Sequence, residues 1–487
     1  MAEVCIIGAG FSGIIAAKVS LFNNLTPFII EKSDSIGGLW KASSTQLGVW
    51  NSLSTNTSKY FLTISDHLWP ADTPEFPTNT QFLSYMNSYI SKHNLGQFIH
   101  FNSQLTQISR SGENYSVTYV ENNEIKVKVF KYVICATGFY SIPKDDFENK
   151  EEFKGKIIHS GFYREPSQVA GKKVIVVGKA FSSGDLALDA LSQAASVTQL
   201  YRKAYICNKR RILGAPYDFT FFGLAGKDHP SPLTSTLERT VEFGKFSIAV
   251  SGNPGDMLED WRMTDEVIES GSYNFTVHLD EYFSALKNGN IHCVHGDLKG
   301  FYEDGIVLKD GRQLSAEVVI LSTGYYTNYS YFSDEIKEII KYDPSTQKVA
   351  LTLFRASIHP SLPGLGFVGN FHGPFPGQFE LQSELAVKWV TGGLGISQDE
   401  LWEGVRLEER CKTELKEMNF IYDLGGILQE FFRILEIKID YALLSSLGYE
   451  NGIYCPVFYW KDRPGQEDLI REFVREVKSA YPEYRFI

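Results

Sequence analysis

The sequence has little that would hold a metal ion, a disulfide framework or a nucleic acid. Six cysteines are scattered over 487 residues without a CxxC pair. This usage predicts neither a zinc site nor structural disulfides, and it is typical of a reducing compartment. Lysine and arginine number 47 against 58 aspartates and glutamates, a formal net charge of −11. Because nucleic acids are bound through clustered positive charge, we expect a small-molecule partner and no nucleic acid.

Long apolar runs are also lacking. Charged residues interrupt each apolar stretch before it reaches the roughly 18 to 20 residues that a transmembrane helix needs. The first stretch, AEVCIIGAG, has no basic region before it and contains Glu3, so we expect a strand and not a signal peptide. These features predict a cytoplasmic protein without a transmembrane segment. The length exceeds what one compact domain usually holds, so we expect two domains.

A glycine-rich turn follows the first predicted strand. Gly8, Gly10 and Gly13 have the spacing GxGxxG and precede a helix-forming run. In dinucleotide sites these three glycines permit the tight turn, the approach of the pyrophosphate and the close packing of helix on strand. The next strand, PFIIEK, ends in Glu31, where an acid can accept hydrogen bonds from ribose hydroxyls. The complete pattern favours a dinucleotide site over an ordinary glycine turn.

A second stretch, KKVIVVGKAFSSGDL, repeats the order of strand, turn and helix. Gly178 has the first glycine position, whereas Ala180 and Ser183 replace the second and third glycines. These side chains are small, so close approach remains feasible at a modest steric cost. The following strand ends in Arg202 and Lys203 instead of an acid. Cations at this place suit the 2′-phosphate of NADP, although two solvated surface cations are an alternative interpretation.

Two further apolar strands each end in a turn of a small residue, threonine and glycine. The first, KYVICATGFY, carries Thr137 and Gly138. The second, EVVILSTGYY, carries Thr323 and Gly324, followed by Tyr325.

The sequence resembles the flavin-containing monooxygenases, a family of class B flavoprotein monooxygenases. The stretch FKGKIIHSGFY supplies Phe153, Gly155, His159 and Tyr163, which match the family fingerprint FxGxxxHxxx(Y/F). A related fingerprint that ends in tryptophan belongs to Baeyer–Villiger monooxygenases, so Tyr163 favours the branch that oxidises heteroatoms. Buried histidines are usually satisfied structurally, and we therefore expect His159 to be a hydrogen-bonded hinge residue and not a catalyst.

This resemblance implies an α/β fold with two Rossmann-like dinucleotide-binding domains, the NADP domain being inserted into the FAD domain. Residues 1–163 would form the first part of the FAD-binding domain. Residues 164–325 would form the NADPH-binding domain, with an insertion at about 204–273. Residues 326–487 would complete the FAD-binding domain and add a C-terminal helical tail. The two threonine–glycine turns would mark the places where the chain passes between domains.

The implied cofactors are FAD and NADPH, and the resemblance adds further residues to their sites. The stretch SDSIGGLW would contribute a glycine pair to the FAD site, and a late helix would begin near the flavin. The added residues are Gly38, Leu39, Trp40, Thr55, Asn56 and Gln378 for FAD, and Phe181, Ser182 and Tyr325 around the second turn and the domain crossing.

Asn56 is the predicted catalytic residue. The stretch SLSTNTS resembles the L-x-TN segment of the family, whose asparagine lies beside the reactive edge of the flavin. Judged without the resemblance, Asn56 would be a turn residue in a loop rich in serine, threonine and asparagine.

The implied reaction is the NADPH- and O2-dependent transfer of one oxygen atom from a flavin C4a-hydroperoxide to a soft nitrogen or sulfur nucleophile of a small molecule. The flavin supplies the difficult chemistry, so no protein nucleophile is needed. Alternatives are Baeyer–Villiger oxygenation of a ketone, NADPH oxidase activity and a non-enzymatic FAD-binding protein. The sequence leaves open the substrate and the oligomeric state, a homodimer among the options.

Overall fold

Two parallel sheets and the helices that cover them organise the chain. The computed structural model describes residues 2–41, 43, 46–203, 205–223, 233–256, 261–271, 273–346, 350–370, 377–414 and 422–484. The strands are β1 Ala2–Ile7, β2 Leu25–Ile30, β3 Ile99–His100, β4 Ser103–Ser111, β5 Asn114–Glu121, β6 Glu124–Phe130, β7 Tyr132–Cys135, β8 Ile142–Pro143, β9 Lys156–His159, β10 Lys173–Val177, β11 Ser196–Tyr201, β12 Tyr205–Lys209, β13 Arg211–Ile212, β14 Ala215–Pro216, β15 Asn274–His278, β16 Ile291–His295, β17 Leu298–Tyr302, β18 Gly305–Leu308, β19 Gln313–Ser315, β20 Val318–Leu321, β21 Tyr325–Tyr326 and β22 Leu365–Phe367. The helices are α1 Phe11–Phe22, α2 Asn79–Lys92, α3 Phe181–Leu191, α4 Tyr217–Phe221, α5 Leu237–Ser251, α6 Asp265–Glu269, α7 Asp280–Lys287, α8 Asp334–Ile339, α9 Gly377–Val390, α10 Gln398–Glu414, α11 Leu424–Leu435, α12 Tyr441–Ser446 and α13 Gln466–Ala480.

The first sheet has the strand order β22-β7-β1-β2-β3, and all of its neighbouring strands are parallel. Side chains alternate between its faces along β1. Val4 and Ile6 pack with α1, α2 and α9 on one face, whereas Cys5 and Ile7 pack with the β4-β5-β6 sheet on the other. Both faces are covered, which explains why β1 is apolar throughout its buried part.

The second sheet has the order β16-β11-β10-β20-β9 and is also parallel throughout. Val174 and Val176 of β10 pack with α3 and α7, and Ile175 and Val177 pack against β17 and β18. All five strands lie in sequence between β7 and β22 of the first sheet. One dinucleotide unit is therefore inserted into the other, and the predicted fold class is confirmed.

A short antiparallel ribbon joins the two sheets. Strands β8 and β21 pair, with Ile142 opposite Tyr326 and Pro143 opposite Tyr325. Strand β8 follows the turn after β7, and β21 follows the turn after β20. The two threonine–glycine turns thus lie at the crossing between the sheets.

The described residues between 205 and 278 form a small layer beside the second sheet. Strands β12 and β15 pair in parallel, and β13 and β14 form an antiparallel hairpin that leads into α4. Aromatic rings fill the interior of this layer, where Phe275 lies edge to face against Phe243 at 5.1 Å between centroids. The aromatic composition of the predicted insertion therefore supports a core of its own.

The C-terminal helices pack on the first sheet's domain. Helix α11 lies against α9, and Phe61 belongs to the same apolar cluster as Phe431. Helix α13 contributes Phe473 to a second cluster, which includes Tyr60 and Phe219. In the described residues, none of the helices has both the length and the apolar character required to cross a membrane.

Candidate functional site

In the turn after β1, the surrounding backbone itself requires glycine at two of the three positions. Gly8 has φ +106°, and a Cβ there would lie 2.7 Å from the carbonyl oxygen of Ala136. A Cβ on Gly13 would lie only 1.9 Å from the carbonyl oxygen of Gly8. Gly10 differs, because its φ is −74° and a Cβ would meet only the Cα of Gly38, at 3.7 Å. The chain itself therefore leaves room for a Cβ at Gly10, which is the position where a bound pyrophosphate requires glycine.

Glu31 follows β2 at the same edge of the sheet and is 6% exposed. Its Oε2 accepts from the backbone N–H of Ala9 at 2.7 Å, and its Oε1 accepts from the N–H and the hydroxyl of Ser33 at 2.8 and 2.6 Å. An ionised carboxylate offers about four acceptor positions. One position on Oε2 therefore remains for a ribose hydroxyl.

The glycine pair lies against this turn. Gly37 adopts φ +116°, and a Cβ on Gly38 would come within 3.2 Å of the Cα of Gly10. Leu39 accepts through its carbonyl from the N–H of Val49 at 2.9 Å. The ring of Trp40 stacks on Phe82 at 4.2 Å between centroids. Residues Gly38, Leu39 and Trp40 thus close one side of the candidate FAD site.

The start of α9 presents buried polar atoms without partners. Gln378 is 1% exposed, and neither its amide oxygen nor its amide nitrogen has a hydrogen-bond partner in the described part of the chain. A buried amide without partners is costly. A ligand with donors and acceptors, such as the pyrimidine edge of a flavin, would satisfy both atoms. Together with the opening at Gly10, this fits FAD.

Asn56 lies in a loop that packs beside this domain; we define the Asn56 loop as residues 52–58. The N–H of Thr55 donates to the carbonyl of Pro77 at 2.8 Å, and its hydroxyl donates to the carbonyl of Thr57 at 2.8 Å. Thr55 is buried, whereas Asn56 is half-buried. The loop backbone is therefore held while the amide of Asn56 keeps partial access to solvent.

The threonine–glycine turns are part of the crossing between the sheets. Thr137 shares a hydrogen bond with the hydroxyl of Tyr331 at 3.0 Å, and the hydroxyl of Thr323 donates to the carbonyl of Lys144. Gly138 and Gly324 have φ +71° and +84°, values that favour glycine. The threonine and the glycine of each turn are therefore explained by the local structure, independently of any ligand.

His159 of the fingerprint is hydrogen-bonded at the crossing between the sheets, as expected. Its Nε2 lies 3.0 Å from the carbonyl oxygen of Gly324, and its Nδ1 accepts from the N–H of Gly161 at 3.2 Å. Burial lowers the pKa of His159, and the carbonyl of Gly324 opposes that shift. The ring of Tyr325 lies edge to face against His159 at 4.9 Å. Both nitrogens are engaged, and the side chain fixes the domain crossing.

The turn after β10 accommodates the two residues that replace glycine, Ala180 and Ser183. Gly178 has φ +126°, and a Cβ there would lie 2.7 Å from the carbonyl oxygen of Ser322. Ala180 has φ −78°, so its methyl group costs no backbone strain. The hydroxyl of Ser183 donates to the carbonyl of Ala180 at 2.8 Å. The glycine that α3 needs for close packing is Gly184, because a Cβ there would lie 2.4 Å from the ring of His278.

The predicted cations lie at the carboxyl end of β11, on the surface. Arg202 and Lys203 are exposed, and at the start of α3 Ser182 is exposed and Phe181 half-buried. The positions are accessible to a nucleotide, and the roles of these side chains stay a prediction.

Sequence reasoning missed Lys179, which lies inside the second turn. It is 1% exposed, and its Nζ lies 3.2 Å from the centroid of the Trp261 ring and 4.8 Å from that of Tyr201. Burial lowers the pKa of Lys179 to about 8. The signal available in the sequence was a long cationic side chain between two positions that require small residues.

Comparison with known proteins identifies the family of this chain. The family described as flavin-binding monooxygenase-like matches residues 1–418. Flavin-containing monooxygenase 5 of Rattus norvegicus is 28% identical over 406 residues, which cover 80% of this chain and 72% of the rat protein. Among solved structures, S-allyl-L-cysteine S-oxygenase from Allium sativum has a TM-score of 0.61 at 18% identity, covering 99% of this chain and 94% of its own. An open structure of cyclohexanone monooxygenase has a TM-score of 0.64 at 17% identity, covering 93% of this chain and 99% of its own.

These matches confirm the predicted enzyme class and both cofactors. The homologues are named flavin-containing monooxygenases, which are NADPH- and FAD-dependent oxidoreductases. The solved structures share the fold with two dinucleotide units. The extent of the family match and the two glycine turns lead to one assignment: the chain belongs to the flavin-binding monooxygenase-like family and is an NADPH- and FAD-dependent monooxygenase.

Proposed function

We propose that this monooxygenase transfers oxygen to a soft nucleophile, a nitrogen or sulfur atom of a small molecule. The observation that carries the proposal is Tyr163. At this fingerprint position the flavin-containing monooxygenases differ from the Baeyer–Villiger monooxygenases, which have tryptophan. Tyr163 is fully buried, and its hydroxyl donates to Oδ2 of Asp189 at 2.6 Å. The hydroxyl of Tyr163 therefore has a buried partner, and a tyrosine at this position is the form of the fingerprint that resembles the heteroatom-oxidising branch.

The bound cofactors supply hydride transfer and oxygen activation, and the residues of this chain bind and orient them. The turn at Gly8, Gly10 and Gly13 would receive the FAD pyrophosphate, and Glu31 a ribose hydroxyl. The buried amide of Gln378 would hold the flavin edge. At the second turn, the N-terminus of α3 would receive the NADP pyrophosphate.

Asn56 would orient the cofactors at the place of reaction. Its amide both donates and accepts, so one side chain can contact two groups at once. The buried Thr55 fixes the backbone beside it through the bond to Pro77. An amide held in place needs no reorganisation during the reaction, which is the property that stabilises developing charge.

We also propose a division of the chain into two units. The first unit would comprise residues 1–163 and 326–487, and the second residues 164–325 with an insertion at about 204–273. Strand β9 pairs with β20 of the second sheet, which favours moving the first limit to a place before Lys156.

Product analysis tests the proposed function. Purified protein with NADPH in air would be offered a tertiary amine, a thioether and a cyclic ketone, and the products identified by mass spectrometry. We expect the N-oxide or the sulfoxide. An ester from the ketone as the main product would instead assign Baeyer–Villiger activity, and NADPH consumption without oxygenated product would indicate an oxidase.

The candidate FAD site predicts that Gly10→Val abolishes flavin binding without unfolding the chain. The Cβ of the new side chain meets only an ordinary contact within the protein, whereas the side chain would occupy the place of the pyrophosphate. The measurement is the flavin absorbance per chain after purification, with circular dichroism as a check on folding. Gly395→Val is the matched control, since no atom lies within 4 Å of a Cβ there. Full flavin absorbance in Gly10→Val would contradict the assignment.

The cations after β11 predict a preference for NADPH over NADH. Losing a charged hydrogen bond to the 2′-phosphate costs about 1.5 to 3 kcal/mol, so Arg202→Ala should weaken NADPH binding by about 10- to 100-fold and leave NADH binding unchanged. Anaerobic binding titrations measure both affinities. Arg110→Ala, which removes an exposed pair with Glu335, is the control. Equal losses for both nucleotides would place Arg202 away from the 2′-phosphate.

The proposed role of Asn56 predicts that its substitution impairs formation of oxygenated product but not the binding of FAD and NADPH. Asn56→Leu should retain FAD and keep its affinity for NADPH, because the substitution removes no phosphate or ribose contact. Losing one preorganised donor costs about 2 to 4 kcal/mol in the productive step, so most NADPH consumed should yield hydrogen peroxide. The ratio of peroxide to oxygenated product measures the effect, with the exposed Asn51→Leu as control. A normal ratio in Asn56→Leu would make Asn56 a simple turn residue.

A further inference from the structure

The Asn56 loop is held on both sides of Asn56 by residues of the predicted insertion. The Nη1 of Arg210 donates to the hydroxyl oxygen of Ser54 at 2.6 Å. The backbone N–H of Ser58 donates to the carboxylate of Asp218. Arg210 is 2% exposed and Asp218 is fully buried, so neither contact is a chance meeting of surface side chains.

Arg210 connects this loop to helix α3. Its Nη2 pairs with Asp185 of α3, whose other carboxylate oxygen lies 3.3 Å from Nδ1 of His278. The guanidinium is a planar fork with fixed donor directions, so it sets the position of Ser54 relative to Asp185. A buried pair of this kind is costly to separate, which keeps the connection intact.

A second connection runs from the same helix to the same loop. The hydroxyl of Ser52 donates to Oδ1 of Asp189, and Oδ2 of that carboxylate accepts from Tyr163. Asp185 and Asp189 are four residues apart and therefore lie on one face of α3. That face carries the Asn56 loop, whereas the N-terminal end of the helix carries the residues of the second turn.

We propose that Arg210 is a positioning residue that, together with Asp185, holds the Asn56 loop in register with a nucleotide bound at the start of α3. The inference rests on the role of Asn56 proposed above. A helix moves as a unit, so one rigid element relates the nucleotide to Asn56. None of the predicted site residues supplies this connection, which depends on Ser54 and Arg210.

Ser54→Ala is the primary test, because it removes the bond to the loop and leaves the pair of Arg210 with Asp185 in place. The holoenzyme should retain FAD and its NADPH affinity, while hydrogen exchange of amides in residues 52–58 becomes faster and the peroxide-to-product ratio rises several-fold. Ser54→Thr keeps a hydroxyl and should restore both properties. Ser284→Ala is the matched control, since its hydroxyl bonds a carbonyl on the exposed side of α7. Arg210→Lys keeps the charge but loses the fork, and it should resemble Ser54→Ala.

A double variant separates this inference from the role of Asn56. In the Asn56→Leu background, adding Ser54→Ala should accelerate amide exchange in the loop but should not raise the peroxide ratio further, because both changes act through one side chain. Additive peroxide ratios would overturn the positioning role. Unchanged exchange and an unchanged ratio in Ser54→Ala, with Asn56→Leu still impaired, would overturn it while preserving the proposed function. A normal ratio in Asn56→Leu would overturn both the positioning role of Arg210 and the proposed role of Asn56, whereas the product analysis would still test the proposed oxygen transfer.

Discussion

The hydrogen bonds on one face of α3 relate the two dinucleotide units to each other. Asp189 accepts from Tyr163 of the fingerprint and from Ser52 of the Asn56 loop. Asp185, one turn earlier, is paired with the buried Arg210. Charged groups that leave water need partners of fixed geometry, so each of these side chains constrains the others. The position of the Asn56 loop relative to α3 is therefore set by these side chains and not by the sheets alone.

This arrangement gives the fingerprint a physical meaning. Gly155 is required because a Cβ there would lie 2.4 Å from the carbonyl of Glu317, and His159 bonds the carbonyl of Gly324. Arg164, which follows directly, donates to the carbonyl of Gly161 at 2.8 Å and to that of Gly48 at 3.3 Å. Gly155 and His159 thus join β9 to residues that flank β20 in the same sheet, and Arg164 adds the contact with the segment before the Asn56 loop. These residues therefore have structural roles next to the crossing between the sheets, and none of these roles requires contact with a substrate.

Much of the fold could be predicted from the sequence because its determinants are local. The glycines at 8, 13 and 178 are needed for backbone angles or for spaces that neighbouring residues define, and the apolar strands reflect burial on both faces. The place of β9 was different. Its four residues lie within the predicted first unit, residues 1–163, and only the pairing with β20 assigns them to the second sheet. Pairing partners more than 150 residues away leave no periodic signal in a single sequence.

The same contrast between local and long-range determinants explains which residues of the site the sequence predicted and which it missed. Turn residues such as Gly10 and Glu31 lie within one strand–turn–helix unit, so their spacing indicates their role. Arg210 lies 156 residues from Ser54, and Asp218 lies 160 residues from Ser58. Nothing near Arg210 in sequence distinguishes it from its neighbour Arg211, yet the first is buried and the second exposed. Burial against a distant loop is a property of the folded chain.

The first turn of α9 shows how far this dependence on distant residues extends. Glu380, one turn or less from Gln378, is 1% exposed and accepts from the N–H of Ser65 at 3.3 Å and from the indole of Trp460 at 3.1 Å. The amide of Gln466 donates to the carbonyl of Ser65 at 2.8 Å. Trp460 and Gln466 lie beyond residue 418, where the family match ends. The start of the helix that bears the unpartnered amide is therefore held by the C-terminal segment. Changes in that segment would move this end of the candidate FAD site while the glycine turns, which depend on their own backbone, stay in place.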